Sequence, residues 1–168
     1  MTLDNMDKAL INLLSIDGRM PTGEIANRLD VTNPTVRTRM RALISSGVLK
    51  IAGLVDLFKI ENLTIALVAM NIEKHQQLDQ KLQQISDLNL VHWAAIVTGR
   101  YDILAEVISS NGMTGLYRFL TVEIPKVGGI LSSESFMIMK AKRKWVLLPE
   151  RLRDWRNDAG RSAKGNKK

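Results

Sequence analysis

The first 46 residues contain three stretches in which apolar side chains recur at helical spacing. The pattern predicts helices at residues 5–16, 22–29 and 33–46, joined by short turns such as Asp17-Gly18. Each helix begins beside a residue whose side-chain oxygen can accept a hydrogen bond from its first turn, namely Asp4, Thr22 and Thr32. Short capped helices in this arrangement are typical of a helix-turn-helix.

Residues 48–57 (VLKIAGLVDL) carry two short apolar pieces on either side of Ala52-Gly53. Apolar pieces separated by such a turn predict a β-hairpin. A hairpin directly after the third helix would form a wing. We therefore expect residues 1–60 to form a winged helix-turn-helix domain that includes its linker.

Beyond residue 61 the chain alternates β-rich apolar runs with amphipathic helical stretches. Strands are predicted at residues 64–72, 91–97, 103–108 and 130–141. Helices are predicted at residues 73–86 and 113–124, and Pro125 and Gly128-Gly129 are expected to end the second one. The order β-α-β-β-α-β is that of the ferredoxin-like fold. The predicted fold class is therefore α+β, with a ferredoxin-like domain over residues 61–141.

The third helix has two chemically different faces. A helical wheel places Val36, Met40 and Leu43 together, on the side expected to be buried. The opposite side and the N-terminal end carry groups that can contact DNA: Asn33, Thr35, Arg37, Thr38 and Arg41. Arginine pairs with guanine or phosphate, asparagine with adenine, and threonine with phosphate or a thymine methyl group. Arg39 lies at the border of the buried stripe, where we expect it to brace the domain or to contact phosphate.

The net charge of +7 is unevenly distributed along the chain. Residues 1–60 have a net charge of +2, residues 61–140 of −2 and residues 141–168 of +7. The excess therefore lies in a basic tail, residues 142–168, whose Gly/Lys-rich end is expected to be disordered. Two interpretations of the tail stay open, namely non-specific contact with DNA phosphates and a solubilising or packing role. The high net charge is thus weak support for DNA binding by the helix.

Composition narrows the function classes. The chain has no cysteine, which excludes disulfides and thiolate metal sites. No apolar run reaches the roughly 18 residues that span a membrane, and acidic residues stand where a signal peptide would be basic, so a cytoplasmic protein is expected. His75 and His92 are the only histidines, and no serine has a base at a predictable position. We therefore expect no enzyme activity, no cofactor and no metal.

These motifs together resemble the Lrp/AsnC (feast/famine) family of transcription regulators over residues 3 to about 141. The matching stretches are Leu3-Asp4, Asp7, Asp17-Gly18-Arg19, Glu24-Ile25-Ala26, Leu29, Val31-Thr32, Pro34-Thr35-Val36, Arg39-Met40-Arg41, Leu43 and Gly47-Val48-Leu49. The resemblance implies a regulator that binds double-stranded DNA as a homodimer or a higher homo-oligomer, up to an octamer. It also implies that the second domain senses an amino acid and mediates assembly.

The family's signature loop is matched here by Thr98, Gly99, Arg100, Tyr101 and Asp102. Glycine permits a tight turn, and the aspartate offers an acceptor for an ammonium group. The resemblance therefore implies an effector site at this loop, where subunits meet. The alternative is a simple turn between two strands. The chain departs from the family pattern at residues 125–130, where Pro-Gly-Val is frequent, and at residues 58–61, where a glycine is expected near the wing.

Two alternative functions remain open, namely tetrapyrrole decarboxylation and architectural DNA binding. Some proteins with this two-domain plan decarboxylate a tetrapyrrole, but that chemistry would need a basic cleft and histidines near the domain junction. An architectural DNA-binding protein with little sequence preference would suit the basic tail. The sequence favours a sequence-specific transcription regulator because arginines lie on the outer face of the third helix.

Overall fold

In the computed structural model, residues 2–149 and Leu152 are described, and the chain divides into two compact units between Gly53 and Leu54. This division lies before the predicted boundary at residue 60. Residues 54–60 and 142–148 both belong to the second unit, because each contributes side chains to the same apolar cluster there. The end of the tail that was expected to be disordered lies outside the described residues.

The first unit consists of three helices, α1 (Asn5–Ile16), α2 (Thr22–Leu29) and α3 (Asn33–Ser45). They pack around a common core of Leu10, Leu14, Met20, Ile25, Ala26, Val36 and Leu43. Asp4 and Asp7 form a reciprocal capping box at the start of α1. The predicted helices and the buried stripe of α3 are confirmed.

Two local predictions in the first unit are wrong. Thr22 does not cap α2, because the cap position is occupied by Pro21, whose ring supplies no side-chain acceptor. The wing hairpin does not form, since residues 48–53 contain no strand. Leu49 packs on the helical core instead, and the strand predicted to return from the turn pairs elsewhere, as described below.

The second unit contains a four-stranded antiparallel sheet made of β2 (Thr64–Ile72), β3 (Val91–Ile96), β4 (Ile103–Ser109) and β5 (Ile130–Met137). The strands lie in the order β3-β4-β2-β5, which is the ferredoxin-like arrangement. One face of the sheet packs against helices over a core that includes Val68, Met70, Ile103, Ala105, Val107, Ile85, Leu116 and Phe119. The predicted α+β class is confirmed.

The helices of this unit differ in detail from their prediction. A 3₁₀ turn (His75–Gln77) precedes α4 (Leu78–Ser86), so the regular helix begins later than residue 73. The second helical segment runs as α5 (Gly112–Arg118), a π turn (Phe119–Glu123) and α6 (Ile124–Val127). Pro125 does not end it, because a proline in the first turn of a helix lacks only an N–H that would have no helical partner there.

A separate two-stranded sheet joins β1 (Leu54–Asp56) to β6 (Trp145–Leu147), with Leu54 opposite Leu147. This pairing replaces the predicted wing hairpin. Apolar side chains from both strands and from the intervening sheet pack around buried residues, which are Leu57, Ile65 and Ile108. Residues near both ends of the second unit are thus held together by one small core.

A buried polar cluster ties this two-stranded sheet to the main one. The Glu106 side chain is 1% exposed, and its carboxylate lies 2.9 Å from His92 Nδ1 and pairs with Lys144. His92 Nε2 lies 3.2 Å from the carbonyl oxygen of Leu147. Burial alone would raise the pKa of Glu106, but hydrogen bonds from His92 and Lys144 outweigh it and hold that pKa below its ordinary value.

Candidate functional site

The outer face of α3 is positioned by the start of the helix and by its buried side. The Thr32 hydroxyl accepts a hydrogen bond from the Thr35 backbone N–H, and Pro34 occupies the first turn. Val36 and Leu43 are both 0% exposed, which fixes the rotation of the helix about its axis. Because these anchors lie on the inner side, the opposite face is held outward.

A shallow groove of about 420 Å³ runs along this outer face. It is lined by Asn33, Pro34, Arg37, Thr38 and Arg41. Four of the five predicted DNA-contacting residues therefore meet in one groove, and no acidic residue lines it. The fifth, Thr35, is half-buried, and its hydroxyl lies 2.8 Å from the Thr32 hydroxyl. Pro34 was missed as a groove residue because it had been assigned only a role in starting the helix.

The charges on this face are unpaired within residues 2–149. Arg37 and Arg41 are exposed, lie one helical turn apart and have no ion pair or hydrogen bond among the described residues. Arg28, an exposed arginine on α2, is by contrast paired with Glu24 at 2.7 Å. The groove therefore presents two guanidinium groups whose donors are available to an external acceptor.

The Asn33 amide lies at the N-terminal end of the groove. Its Oδ1 is buried and has no hydrogen-bond partner, and its Nδ2 lies 3.8 Å from the position of a Cβ added at Gly23. A buried acceptor without a partner is costly. This amide is therefore packed between α2 and α3 while it also borders the outer groove.

Arg39 braces the first unit, which is the first of the two roles expected for it from the sequence. Its Nη1 donates to Asp4 Oδ2 at 2.6 Å and to Asp7 Oδ1 at 2.8 Å, which links α3 to the start of α1. A hydrogen bond from the Asp7 backbone, and then one from Arg39, hold the pKa of Asp4 below its ordinary value. The same contacts with Asp4 and then Asp7 raise the pKa of Arg39. This guanidinium is used internally and is not offered to the groove.

The Thr98–Asp102 loop joins β3 to β4 in the second unit. Gly99 has a φ of +115°, which L-residues with a side chain rarely adopt, whereas Thr98 and Arg100 are exposed. The Arg100 guanidinium lies 5.4 Å from the centre of the Tyr101 ring. The Tyr101 hydroxyl donates to Glu134 on β5, and this bond raises the pKa of the phenol.

Asp102 is largely committed to the fold. Its Oδ2 accepts a hydrogen bond from the Ile72 backbone N–H at 2.8 Å, and its Oδ1 lies 3.5 Å from His75 Nδ1. Its own backbone N–H donates to the Met70 carbonyl oxygen. No local pattern indicated these contacts, since Ile72 is thirty residues away. The predicted ammonium acceptor therefore has one oxygen left, which lies beside the exposed His75.

The described residues place further limits on the chemistry. Within them no group of three or more histidine, aspartate and glutamate side chains is arranged to hold a metal ion. No helix in the part of the chain that the structure describes is long and apolar enough to cross a membrane. His92, the more buried histidine, is bonded to Glu106 within the fold.

Comparison with known proteins identifies the family. A model of the AsnC-type helix-turn-helix domain matches residues 3–44, and a model of the Lrp/AsnC ligand binding domain matches residues 65–145. The chain is 35% identical over 144 residues to an uncharacterized HTH-type transcriptional regulator of Pyrococcus abyssi, over 85% of this chain and 89% of that protein. The chain belongs to the Lrp/AsnC family of transcription regulators.

Solved structures of Lrp/AsnC proteins share this fold. E. coli AsnC matches with a TM-score of 0.72 at 19% identity, over 86% of this chain and 97% of that one. A feast or famine regulatory protein from M. tuberculosis, solved in complex with L-methionine, matches with a TM-score of 0.73 at 23% identity, over 85% and 96% of the two chains. Membership of the Lrp/AsnC family supports transcription regulation over the tetrapyrrole-decarboxylase and architectural alternatives.

Proposed function

We propose that this Lrp/AsnC regulator reads its operator with the outer face of α3 inserted in the major groove of DNA. The observation that carries the proposal is the groove itself, where two exposed and unpaired arginines stand on a helix whose opposite face is fully buried. In helix-turn-helix proteins the N-terminal part of the second helix of the motif contacts the base edges. Asn33, Thr35, Arg37, Thr38 and Arg41 are the proposed contact residues.

Each proposed contact follows from the chemistry of its side chain. Arg37 and Arg41 can each pair with O6 and N7 of a guanine or with a phosphate, and Thr38 can contact phosphate or a thymine methyl group. Asn33 can pair with adenine, which requires its side chain to turn so that the buried Oδ1 leaves the packing between α2 and α3. A good bidentate pair is worth about 1–3 kcal/mol of discrimination against the wrong base.

The test measures binding of the full chain to DNA from its own promoter and to random DNA of equal length. Arg37→Ala and Arg41→Ala should each abolish binding to the promoter DNA while leaving the protein folded. Arg28→Ala is the matched control, because it removes the same charge from an exposed position outside the groove. Normal promoter binding by both groove variants would refute the proposed reading face. Equal binding of both DNAs by the unaltered protein would favour the architectural function.

We further propose that the second unit binds an amino acid at the Thr98–Asp102 loop. Support comes from the match to a ligand binding domain and from the L-methionine complex of a structural neighbour. Exposed backbone N–H groups around Gly99 suit a carboxylate, and the remaining oxygen of Asp102 suits an ammonium group. Thermal shifts with each of the twenty amino acids test this, since a ligand that binds only the native state stabilises it by mass action. A shift that survives Gly99→Val would argue against the loop.

We propose that two copies pair through the face of the sheet opposite the helices in the second unit, over the part that β1 and β6 leave exposed. Trp93 and Phe136 are 40% and 46% exposed on that face, and Leu131 near the edge is 73% exposed. Contiguous exposed apolar side chains are typical of protein interfaces. A dimer would match the two-fold symmetry of a pseudo-palindromic operator. Light scattering should give a dimer or a multiple of it, up to an octamer, and Phe136→Glu should shift the mass towards the monomer.

A further inference from the structure

A second cleft lies in the second unit, at the end of the sheet opposite the Thr98–Asp102 loop. It has a volume of about 320 Å³ and opens where β3 begins and β4 ends. Its lining comes from the turn before β3, the turn after β4, and the helical segment from α5 to the π turn. Because β3 and β4 are antiparallel, this cleft and the signature loop are at opposite ends of the same hairpin.

The π turn brings two opposite charges to this cleft. The Ile124 backbone N–H donates to the carbonyl oxygen of Phe119, five residues earlier. In a regular helix, residues five apart diverge by about 140° around the axis, whereas a π turn stacks them. Arg118 and Glu123 are five residues apart, and both line the cleft. Single π turns occur frequently at functional sites.

Three polar side chains that line the cleft have no partner among the described residues. Among residues 2–149, the Arg118 guanidinium and the side chains of Ser110 and Asn111 make no hydrogen bond or ion pair. Glu123 is a third exposed, and among the described residues its carboxylate is paired with Lys126 at 3.2 Å. The cleft floor is apolar, since Phe119 is 1% exposed. A cation, an anion and several neutral polar side chains therefore surround a small space with an apolar base.

We propose that this cleft binds a small zwitterion, with its carboxylate on Arg118 and its ammonium group on Glu123. Ser110 and Asn111 would supply hydrogen bonds to the ligand. A simple anion is disfavoured because Glu123 would repel it, and a simple cation is disfavoured by Arg118 in the same way. The volume lies at the lower end of the range for ligand pockets, which suits a small ligand. The site is separate from the proposed effector loop.

The experiment is calorimetric titration of the full chain with glycine, β-alanine and γ-aminobutyrate, in which the two charges are progressively farther apart. Acetate and methylammonium carry one charge each and serve as ligand controls. We expect saturable binding of at least one zwitterion, weakened at least tenfold by Arg118→Gln and by Glu123→Gln. Lys59→Gln is the matched control, because it removes a positive charge from an exposed position of the same unit that does not line the cleft. That variant should bind as well as the unaltered protein.

Several outcomes would overturn the proposal. They are the absence of saturable binding by all three zwitterions, unchanged affinity in both cleft variants, and equally tight binding of acetate. Binding that is lost in Gly99→Val but kept in Arg118→Gln would place the ligand on the Thr98–Asp102 loop instead. Such a result would support the proposed effector loop and refute the cleft, so the two proposals fail independently. The tryptophan fluorescence of each variant verifies that the second unit stays folded.

Discussion

Glu106 offers a direct test of how the second unit is held together. Its carboxylate is buried between His92 and Lys144, so Glu106→Gln keeps the shape of the side chain and removes its charge. Removing one partner of a buried ion pair typically costs about 3–5 kcal/mol. The His92 and Lys144 side chains are 17% and 26% exposed, so water reaches both of them. We therefore expect a loss somewhat below that range, about 2–3 kcal/mol in the free energy of unfolding.

Tryptophan fluorescence measures this loss in the second unit alone, because all three tryptophans lie at residue 93 or later. In urea, with a slope of about 1–3 kcal/mol per molar, the midpoint should fall by roughly 1–2 M. Protein concentration must be held constant, since assembly also adds stability. Glu61→Gln is the matched control, because it makes the same change at an exposed position of the same unit. A midpoint unchanged by Glu106→Gln would refute the reasoning.

The pH dependence of the same comparison gives an independent check. The pKa of Glu106 is lowered in the folded protein, so in acid the unfolded chain takes up this proton first. Stability from Glu106 is therefore fully present above the ordinary glutamate pKa and is lost as pH falls through the lowered one. The stability difference between the unaltered protein and Glu106→Gln should thus be constant near pH 7 and shrink below about pH 4.5. A difference that grows in acid would contradict the assigned charge state.

Three further predictions concern packing and DNA contact. Arg37→Ala should lower the magnitude of the slope of log affinity against log salt by about one if this side chain contacts phosphate, and leave the slope unchanged if it contacts only a base. Gly115→Ala should destabilise the second unit by about 1–3 kcal/mol, because the new Cβ would collide with Ser109 Oγ. Urea unfolding measures this loss, and adding Ser109→Ala to the same chain should recover part of it. Leu43→Ala should cost the first unit about 2–5 kcal/mol, seen as an earlier loss of helical circular dichroism.

Local signals predicted the first unit well. The acceptor side chain of Thr32, the proline after it and the apolar spacing of Val36 and Leu43 each act within one or two helical turns. Such short-range chemistry can be read from a single sequence. The face of α3 that forms the groove followed directly, because burying one side of a helix exposes the other. Thr22 failed as a cap since the chain enters α2 one residue earlier than the pattern indicated.

The errors arose where a partner is distant in sequence. The strand Leu54–Asp56 was assigned to a local hairpin, but its partner is Trp145–Leu147. The burial of Glu106 was not predicted from the apolar strand around it. The residues that compensate this burial, His92 and Lys144, are distant in sequence. The π turn likewise has no established residue signature, so the meeting of Arg118 and Glu123 in one cleft could not be foreseen.

The pairing of β1 with β6 also determines when each part of the chain can fold during translation. β1 leaves the ribosome directly after the first unit, yet its partner is completed only when Leu147 has been added. At a synthesis rate of about 5–20 residues per second, β1 remains without its partner strand for roughly 5–19 s during translation. The three helices of the first unit need no later residue and can fold during that interval. A chain shortened before β6 would leave the edge of β1 permanently unpaired. A deletion meant to probe the basic tail should therefore begin after Pro149.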